Sequence, residues 1–150
     1  MIRHVTSGKL RRDDARNILG VRWDGLQPKA HEGLSVNWLE FHDGAMVDKV
    51  KAAFDLMSSK RNFKRGDVLA KMNVGTTRHA AESSGKKIRV VYAPIDGNHG
   101  HAEIRNMPSE DEGFLDIIAS TIQVDDCISC KPLLELKTTI ASGEDPPIDA

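Results

Sequence analysis

The segment Leu34-Ser35-Val36-Asn37-Trp38-Leu39 alternates apolar and polar side chains, and shortly after it Val47, Val50, Phe54 and Met57 adopt a spacing of three and four. A period of two belongs to a half-buried strand, and a period near 3.6 belongs to an amphipathic helix. A chain that switches between them so abruptly has to pack helices against a sheet. The first segment predicts a strand with Leu34, Val36 and Trp38 facing inward. The second predicts a helix ending near Lys60, with Asp48, Lys49, Lys51 and Asp55 on its other faces.

The remaining segments extend this pattern. Residues 2–6 read as a short strand, and residues 13–19, with Gly20 just beyond, read as a helix of about two turns with a glycine cap. Residues 20–33 contain Gly20, Asp24-Gly25, Pro28 and Gly33 and read as a loop, with Trp23 as its packing anchor. Residues 67–74 suit either a helix or a strand, and the bracketing Gly66 and Gly75 favour a strand. Ser83-Ser84-Gly85 is a turn. Residues 87–93 form a strand ended by Pro94, and Asp96-Gly97-Asn98 turns it into a hairpin with 99–105. Ser109 with Glu112 reads as a capping box opening a helix over 110–122, which presents Phe114, Ile117, Ile118 and Ile122. Pro132 makes 131–137 an edge strand. The acidic, proline-containing residues 138–150 read as a disordered tail. The expectation is therefore a single α+β domain over residues 1–137, with a small mixed or mostly antiparallel sheet of about five strands and two or three helices.

At 150 residues and 39% hydrophobic, such a domain can bury a core without staples. No stretch approaches the roughly 18 apolar residues of a membrane span. The opening Met1-Ile2-Arg3-His4-Val5 lacks a signal-peptide pattern. A soluble, cytoplasmic protein with no membrane partner is expected. The two cysteines, Cys127 and Cys130, are too close in sequence to close a strongly stabilising loop.

Charge is distributed unevenly. Residues 1–90 carry 18 Lys and Arg against 10 Asp and Glu, and residues 91–150 carry 3 against 12, so +8 is followed by −9. One reading neutralises the halves across a single surface, or across a homo-oligomer held by charge complementarity. The other presents a basic face to nucleic acid or to an acidic protein partner. Its densest stretch is Lys60-Arg61-Asn62-Phe63-Lys64-Arg65, and Lys9-Leu10-Arg11-Arg12, with Arg11 and Arg12, is a second, weaker cluster. In that reading the cations pair phosphates while Phe63 stacks on a base.

Several residues are candidates for chemistry. His99 and His101 with Cys127 and Cys130 supply the imidazoles and thiolates of a four-ligand zinc shell. The competing reading makes the cysteines small buried hydrophobes and the histidines ordinary hairpin residues. A thioredoxin-like pair is disfavoured because Asp125 and Asp126 raise the neighbouring thiols. No cofactor other than zinc is suggested.

A second set begins with Arg3 and His4 on the first strand, continues through Gly33-Leu34-Ser35 entering the next, and ends at Glu103. In these isolated residues the order resembles ADP-ribosyltransferase-like domains. The resemblance implies that His4 or Arg3 holds a nicotinamide dinucleotide, Ser35 orients it and Glu103 polarises the attacked ribose. Independently of that family, His4 and His101 are the base and acid that metal-free phosphodiester cleavage needs near neutral pH, if the fold brings them together. The competing reading is that His4 is a hydrogen-bonded strand histidine. The chain has no Gly-x-x-x-x-Gly-Lys-Ser/Thr loop, Gly-x-Gly-x-x-Gly, His-Glu-x-x-His or Gly-x-Ser-x-Gly.

The reading that needs fewest coincidences is a non-enzymatic interaction module whose basic N-terminal part binds nucleic acid or an acidic protein. The alternatives are a small nucleotide- or nucleic-acid-directed enzyme of the toxin or defence kind, ADP-ribosyltransferase-like or RNase-like, using His4, Ser35, His101 and Glu103, and a zinc-stabilised structural domain.

Overall fold

The computed structural model describes residues 1–142. Its strands are β1 (Ile2–Val5), β2 (Leu10–Arg12), β3 (Ile18–Val21), β4 (Leu34–Asn37), β5 (Val68–Lys71), β6 (Arg89–Tyr92), β7 (His101–Arg105) and β8 (Cys127–Ser129). Its helices are α1 (Met46–Ser58), α2 (Val74–Ser83), α3 (Glu112–Ser120) and α4 (Lys131–Ser142). Six strands form one sheet in the order β6-β7-β4-β1-β5-β8, with every neighbouring pair antiparallel, and β2 pairs with β3 separately. This is an α+β domain with a mainly antiparallel sheet, as the alternating periods predict. Among the described residues no helix is long and apolar enough to cross a membrane.

The two faces of the sheet are covered unequally. On the first face Val5, Leu34, Val36, Val68, Ala70, Ala102 and Ile104 meet Phe114, Leu115, Ile118 and Ala119 of α3 and Ala81 of α2. The β2–β3 hairpin adds Leu10 and Val21 to the same cluster. On the second face, α1 lays Val50, Ala53, Phe54 and Met57 against Ile2 and Leu69, with Cys130, Ile128 and the α4 residues Leu133 and Leu134 beside them. This second apolar layer draws on β1, β5 and β8 and on no strand beyond β1. By the period of two, the second-face residues of β4 and β7 are Ser35, Asn37, His101 and Glu103, and the register pairs Asn37 with His101 and Ser35 with Glu103.

The strand at 34–39, the helix after it and the 87–105 hairpin form as predicted, within a residue or two at their ends. Other segments differ, each for a local reason. Residues 13–19 are not a helix but the turn and return strand of the β2–β3 hairpin. Asp13 accepts from the Asn17 N–H at 2.7 Å and from its side-chain amide at 2.9 Å, and Arg16 takes a left-handed φ of 67°. Such side-chain-to-backbone bonds compete directly with a helix. The 67–74 strand stops at Lys71, and Asn73 then caps α2 by accepting from Thr76 N–H at 2.9 Å. The α2 helix itself was not predicted, because its polar composition carries little periodicity. The α3 cap is Asp111, which accepts from Phe114 N–H, so the Ser109–Glu112 capping box does not form. The expected edge strand at 131–137 is instead helix α4. Pro132 sits in its first turn, where a missing N–H costs nothing. The α4 helix runs on to Ser142, inside the stretch expected as a tail, and residues 143–150 of that stretch lie outside the described residues.

Phe54, 1% exposed, carries the α1 contact and supports Phe63 at a ring distance of 4.9 Å. Phe54→Ala is expected to cost about 3–5 kcal/mol in denaturant unfolding. A loss below about 1 kcal/mol would contradict this account of the second layer.

Candidate functional site

Buried polar side chains require partners, so where they gather is informative. Among the described residues these are Asn37, Asp67, Thr77, Asn98 and His101. Thr77 bonds within its own helix. The other four all belong to one region, where the second apolar layer ends.

Asp67, 2% exposed, stands at the entrance to β5. Its carboxylate accepts from His4 Nε2 at 2.9 Å, from Lys64 N–H at 2.9 Å and from Ser7 N–H at 3.0 Å. Burial alone raises this carboxyl. The bonds from His4, Lys64 and Ser7 outweigh burial and hold it below the ordinary carboxylate range. Because the carboxylate only accepts, the proton of the His4 ring lies on Nε2, and Nδ1 is left as an acceptor. Burial lowers the His4 pKa below its usual 6.5 even though Asp67 pulls the other way, so the ring is neutral at pH 7. Phe63 packs on it at 4.1 Å between ring centroids.

His4 lines a notch of about 30 Å³ together with Ser35, Asn37, Lys60, Arg61, Asn98 and His101. Strand order explains the meeting, since β1, β4 and β7 are consecutive neighbours in the sheet. His101, 8% exposed, is fixed through Nδ1, which lies 2.6 Å from the Ala93 carbonyl and so donates to it. Its Nε2 remains to give or take a proton. Asn98 Nδ2 donates to Asn37 Oδ1 at 3.0 Å, whereas Asn98 Oδ1 is buried with no hydrogen-bond partner. Lys60 lies along the turn before Asn98. A Cβ on Gly97, whose φ is +73°, would stand 2.9 Å from the Lys60 Cε.

Ser35 also lines a second cavity of about 530 Å³, with Glu103, Arg105, His31, Glu32 and Asn106 among its walls. Its size is that of a small-molecule or nucleotide pocket. His31 and Asn106 both hold left-handed φ values, 64° and 63°. Glu103 accepts from Arg105 Nε at 3.0 Å.

The structure therefore brings together His4, Ser35 and His101, with Glu103 in the adjoining cavity. Arg3, also implicated by the resemblance, turns to backbone carbonyls instead, donating to Gly25 O at 3.1 Å and Ser35 O at 2.8 Å. Its pKa is brought down to about 10, chiefly by burial and then by Arg61. It staples β1 to β4.

The basic stretch divides. Lys60 and Arg61 line the notch, Lys64 is exposed, and Arg65 pairs with Glu135 at 2.7 Å. Phe63 is 7% exposed between His4 and Phe54, so the expected stacking of this ring on a base is corrected to a core role. Arg12 reaches Ser7 Oγ at 3.4 Å, and a Gly66 Cβ would stand 3.0 Å from that same oxygen, so this cation lies near the Lys64 corner. Arg11 folds over Gly20. Some early cations do meet later carboxylates, at Lys71–Asp126 and Lys86–Asp111 as well as Arg65–Glu135.

The zinc set is not assembled. His101 on β7 and Cys127 on β8 are four strand spacings apart, about 19 Å. Cys127 packs with the first-face core and Cys130 with the second. Burial, and then Asp67, raises the Cys130 thiol to about 12. His99 is exposed on the loop before β7. Among the described residues no three His, Cys, Asp or Glu side chains gather to hold a metal.

Asn37, Asn98 and Asp67 were not anticipated. Asn37 had a usable signal, because the period of two puts it on the same face of its strand as Ser35. Asn98 reads as turn chemistry and Asp67 as a strand-entry residue, and neither carries a sequence signal for a site. Comparisons with protein-family models, curated proteins and solved structures gave no match.

The Asp67 linkage has a definite sign. Its folded pKa lies below 3.8, so its contribution is complete above that value and is lost as the pH falls through the folded value. The lowered His4 pKa likewise makes stability fall as the pH drops below 6.5. Asp67→Asn is expected to cost about 1–3 kcal/mol at pH 7, with the gap to the parent narrowing in denaturant unfolding below about pH 4. A gap that widens on acidification would contradict the assignment.

Proposed function

We propose that the protein is a nucleic-acid-directed enzyme that breaks a phosphodiester bond by acid–base catalysis, with His4 as base and His101 as acid. The observation that carries this reading is two imidazoles, each fixed through one ring nitrogen, lining one notch beside Lys60 and Arg61. Such fixation sets which nitrogen handles the proton. The neutral ring of His4 is ready to accept at Nδ1, and the imidazolium that results is stabilised by the Asp67 carboxylate. His101 acts as the imidazolium, which keeps its Nδ1–H on the Ala93 carbonyl and gives the proton on Nε2 to the departing oxygen. Lys60 and Arg61 pair the phosphate and the charge that develops on it.

The non-enzymatic reading draws support from the exposed Lys60, Arg61 and Lys64. These cations serve substrate binding equally well, and a binding module has no use for a buried, oriented proton acceptor. The ADP-ribosyltransferase-like reading requires the Glu103 carboxylate to act on a ribose. One of its oxygens, Oε2, is paired with Arg105, and Glu103 lies in the adjoining cavity instead of the notch that holds His4 and His101.

Purified protein offered single-stranded RNA and DNA at low salt is expected to cleave at least one of them. His4→Ala and His101→Ala should each lower kcat by about 10²- to 10⁴-fold while circular dichroism stays unchanged. Lys60→Ala with Arg61→Ala should raise KM and also lower kcat, since the pair meets both the bound phosphate and the charge that develops on it, and binding should weaken steeply with salt. Salt-sensitive binding without turnover of either polymer would leave the interaction module as the better reading.

A further inference from the structure

We infer that the cavity of about 530 Å³ beside the notch seats an unpaired guanine, read by Glu103 and Arg105, so that the enzyme cuts single strands next to guanine. This rests on the phosphodiester reading above and specifies its substrate. The two hollows share Ser35 and differ in charge. Among the described residues no carboxylate lines the notch, whereas Lys60 and Arg61 do. Asn37 adds a donor to that wall. Its Oδ1 accepts from Asn98, and its Nδ2 has no partner among the described residues. That nitrogen reaches open space, since the buried polar atoms without a partner lie on Asp24, His42 and Asn98. Positive charge and free N–H groups suit a phosphate. In the cavity, Lys29 and Arg105 are matched by Glu32 and Glu103. A wall whose cations and carboxylates balance, offering acceptors as well as donors, suits a neutral polar group, which in a nucleotide is the base.

Distance agrees with this division. Ser35 faces Glu103 across β4 and β7, and the β1–β4 register that pairs Ile2 with Asn37 brings His4 opposite Ser35. Glu103 therefore stands two strand spacings from His4, about 10 Å. That is the reach of a nucleotide from its phosphate, across the sugar, to the far edge of its base. Ser35, on the wall of both hollows, lies along the sugar.

The pairing of Glu103 with Arg105 selects among the bases. Arg105 Nε donates to Glu103 Oε2 at 3.0 Å. This leaves Oε1 and a lone pair of Oε2 to accept, and the terminal nitrogens of Arg105 to donate. Gly33 makes room for that carboxylate, because a Cβ there would stand 2.9 Å from Glu103 Cβ and 3.1 Å from its Oε2. Guanine alone presents two neighbouring N–H donors, on N1 and N2, with the O6 acceptor beside them. A carboxylate takes both donors at once, and a guanidinium takes O6. Adenine and cytosine offer the carboxylate a single amino group, and uracil and thymine turn carbonyl oxygens toward it. All these groups lie on the Watson–Crick edge, so the base is readable only without its partner strand. Glu103 and Arg105 thus determine specificity and do not touch the reacting atoms.

The test offers the full chain one oligonucleotide containing all four bases, as RNA and as DNA, alone and annealed to its complement. Cleavage is expected next to guanine at least about tenfold faster than next to the other bases, and annealing should suppress it. Glu103→Gln turns one acceptor into a donor, and kcat/KM at guanine should fall about ten- to a hundredfold with circular dichroism unchanged. Calorimetry with the four nucleoside monophosphates reads the cavity without turnover. Guanosine monophosphate should bind at least about tenfold tighter than the others, an advantage lost in Glu103→Gln. Equal cleavage next to all four bases, or equal cleavage of the duplex, would overturn the guanine site and leave the phosphodiester reading standing. A guanine preference that survives Glu103→Gln would overturn the role of Glu103. Preferential binding of guanosine monophosphate without cleavage of either polymer would support the cavity and count against the phosphodiester reading. Neither cleavage nor nucleotide binding would count against both.

Discussion

The carboxylate of Asp67 is the constraint around which the rest of the site is arranged. A buried carboxylate without partners is costly enough that the chain must either neutralise it or surround it with donors. Here the donors come from three separate segments: the His4 ring on β1, the Ser7 N–H just after β1 and the Lys64 N–H just before β5. One side chain thus sets the ring orientation of His4, anchors the loop carrying Lys60 and Arg61, and closes the end of the β1–β5 pairing. Phe63 is drawn into the same knot, between His4 and Phe54. That knot joins the candidate site to the hydrophobic layer beneath it.

The second consequence is topological. Helices cover the second face of the sheet only over β1, β5 and β8, and the layer ends at β1. The polar halves of β4 and β7 are therefore neither in bulk solvent nor under a helix; they form the floor of a cleft. His4 sits at the boundary, half in the apolar layer and half against the notch. Burial on one side keeps its ring neutral, and on the other side it lines the notch. The charge asymmetry finds a partial outlet in the same place. Arg65, Lys71 and Lys86 are drawn to later carboxylates, while Lys60 and Arg61 turn to the notch.

Much of this architecture is legible in the sequence where periodicity is strong. The alternation at 34–39, the helical spacing from Val47 to Met57 and the Asp96-Gly97-Asn98 hairpin are strong local signals, and tertiary packing agrees with them. Legibility fails where local chemistry competes with pattern. The Asp13–Asn17 bonds bend an apparent helix into a hairpin, and Pro132 marks the start of a helix as readily as the edge of a sheet. The site was half visible. His4, Ser35, His101 and Glu103 stand out by residue type, but their convergence depends on β1, β4 and β7 being neighbours, which no spacing along the chain encodes. Phe63 misleads for a related reason: flanked by cations it resembles a stacking ring, yet the helix beneath it offers a better partner. The zinc set fails by the same logic in reverse, since strand order separates residues that composition groups together.

The central claim is that burial keeps His4 a neutral ring while Asp67 fixes its proton on Nε2 and leaves its lone pair on Nδ1. Long-range ¹H–¹⁵N NMR of the imidazole side chains, followed from pH 8 down to pH 5, reads both properties at once. The account predicts a His4 signal of the Nε2–H tautomer at neutral pH, with a midpoint below the ordinary 6.5, and a changed tautomer balance in Asp67→Asn. A His4 ring carrying its proton on Nδ1, or titrating above 6.5, would contradict it.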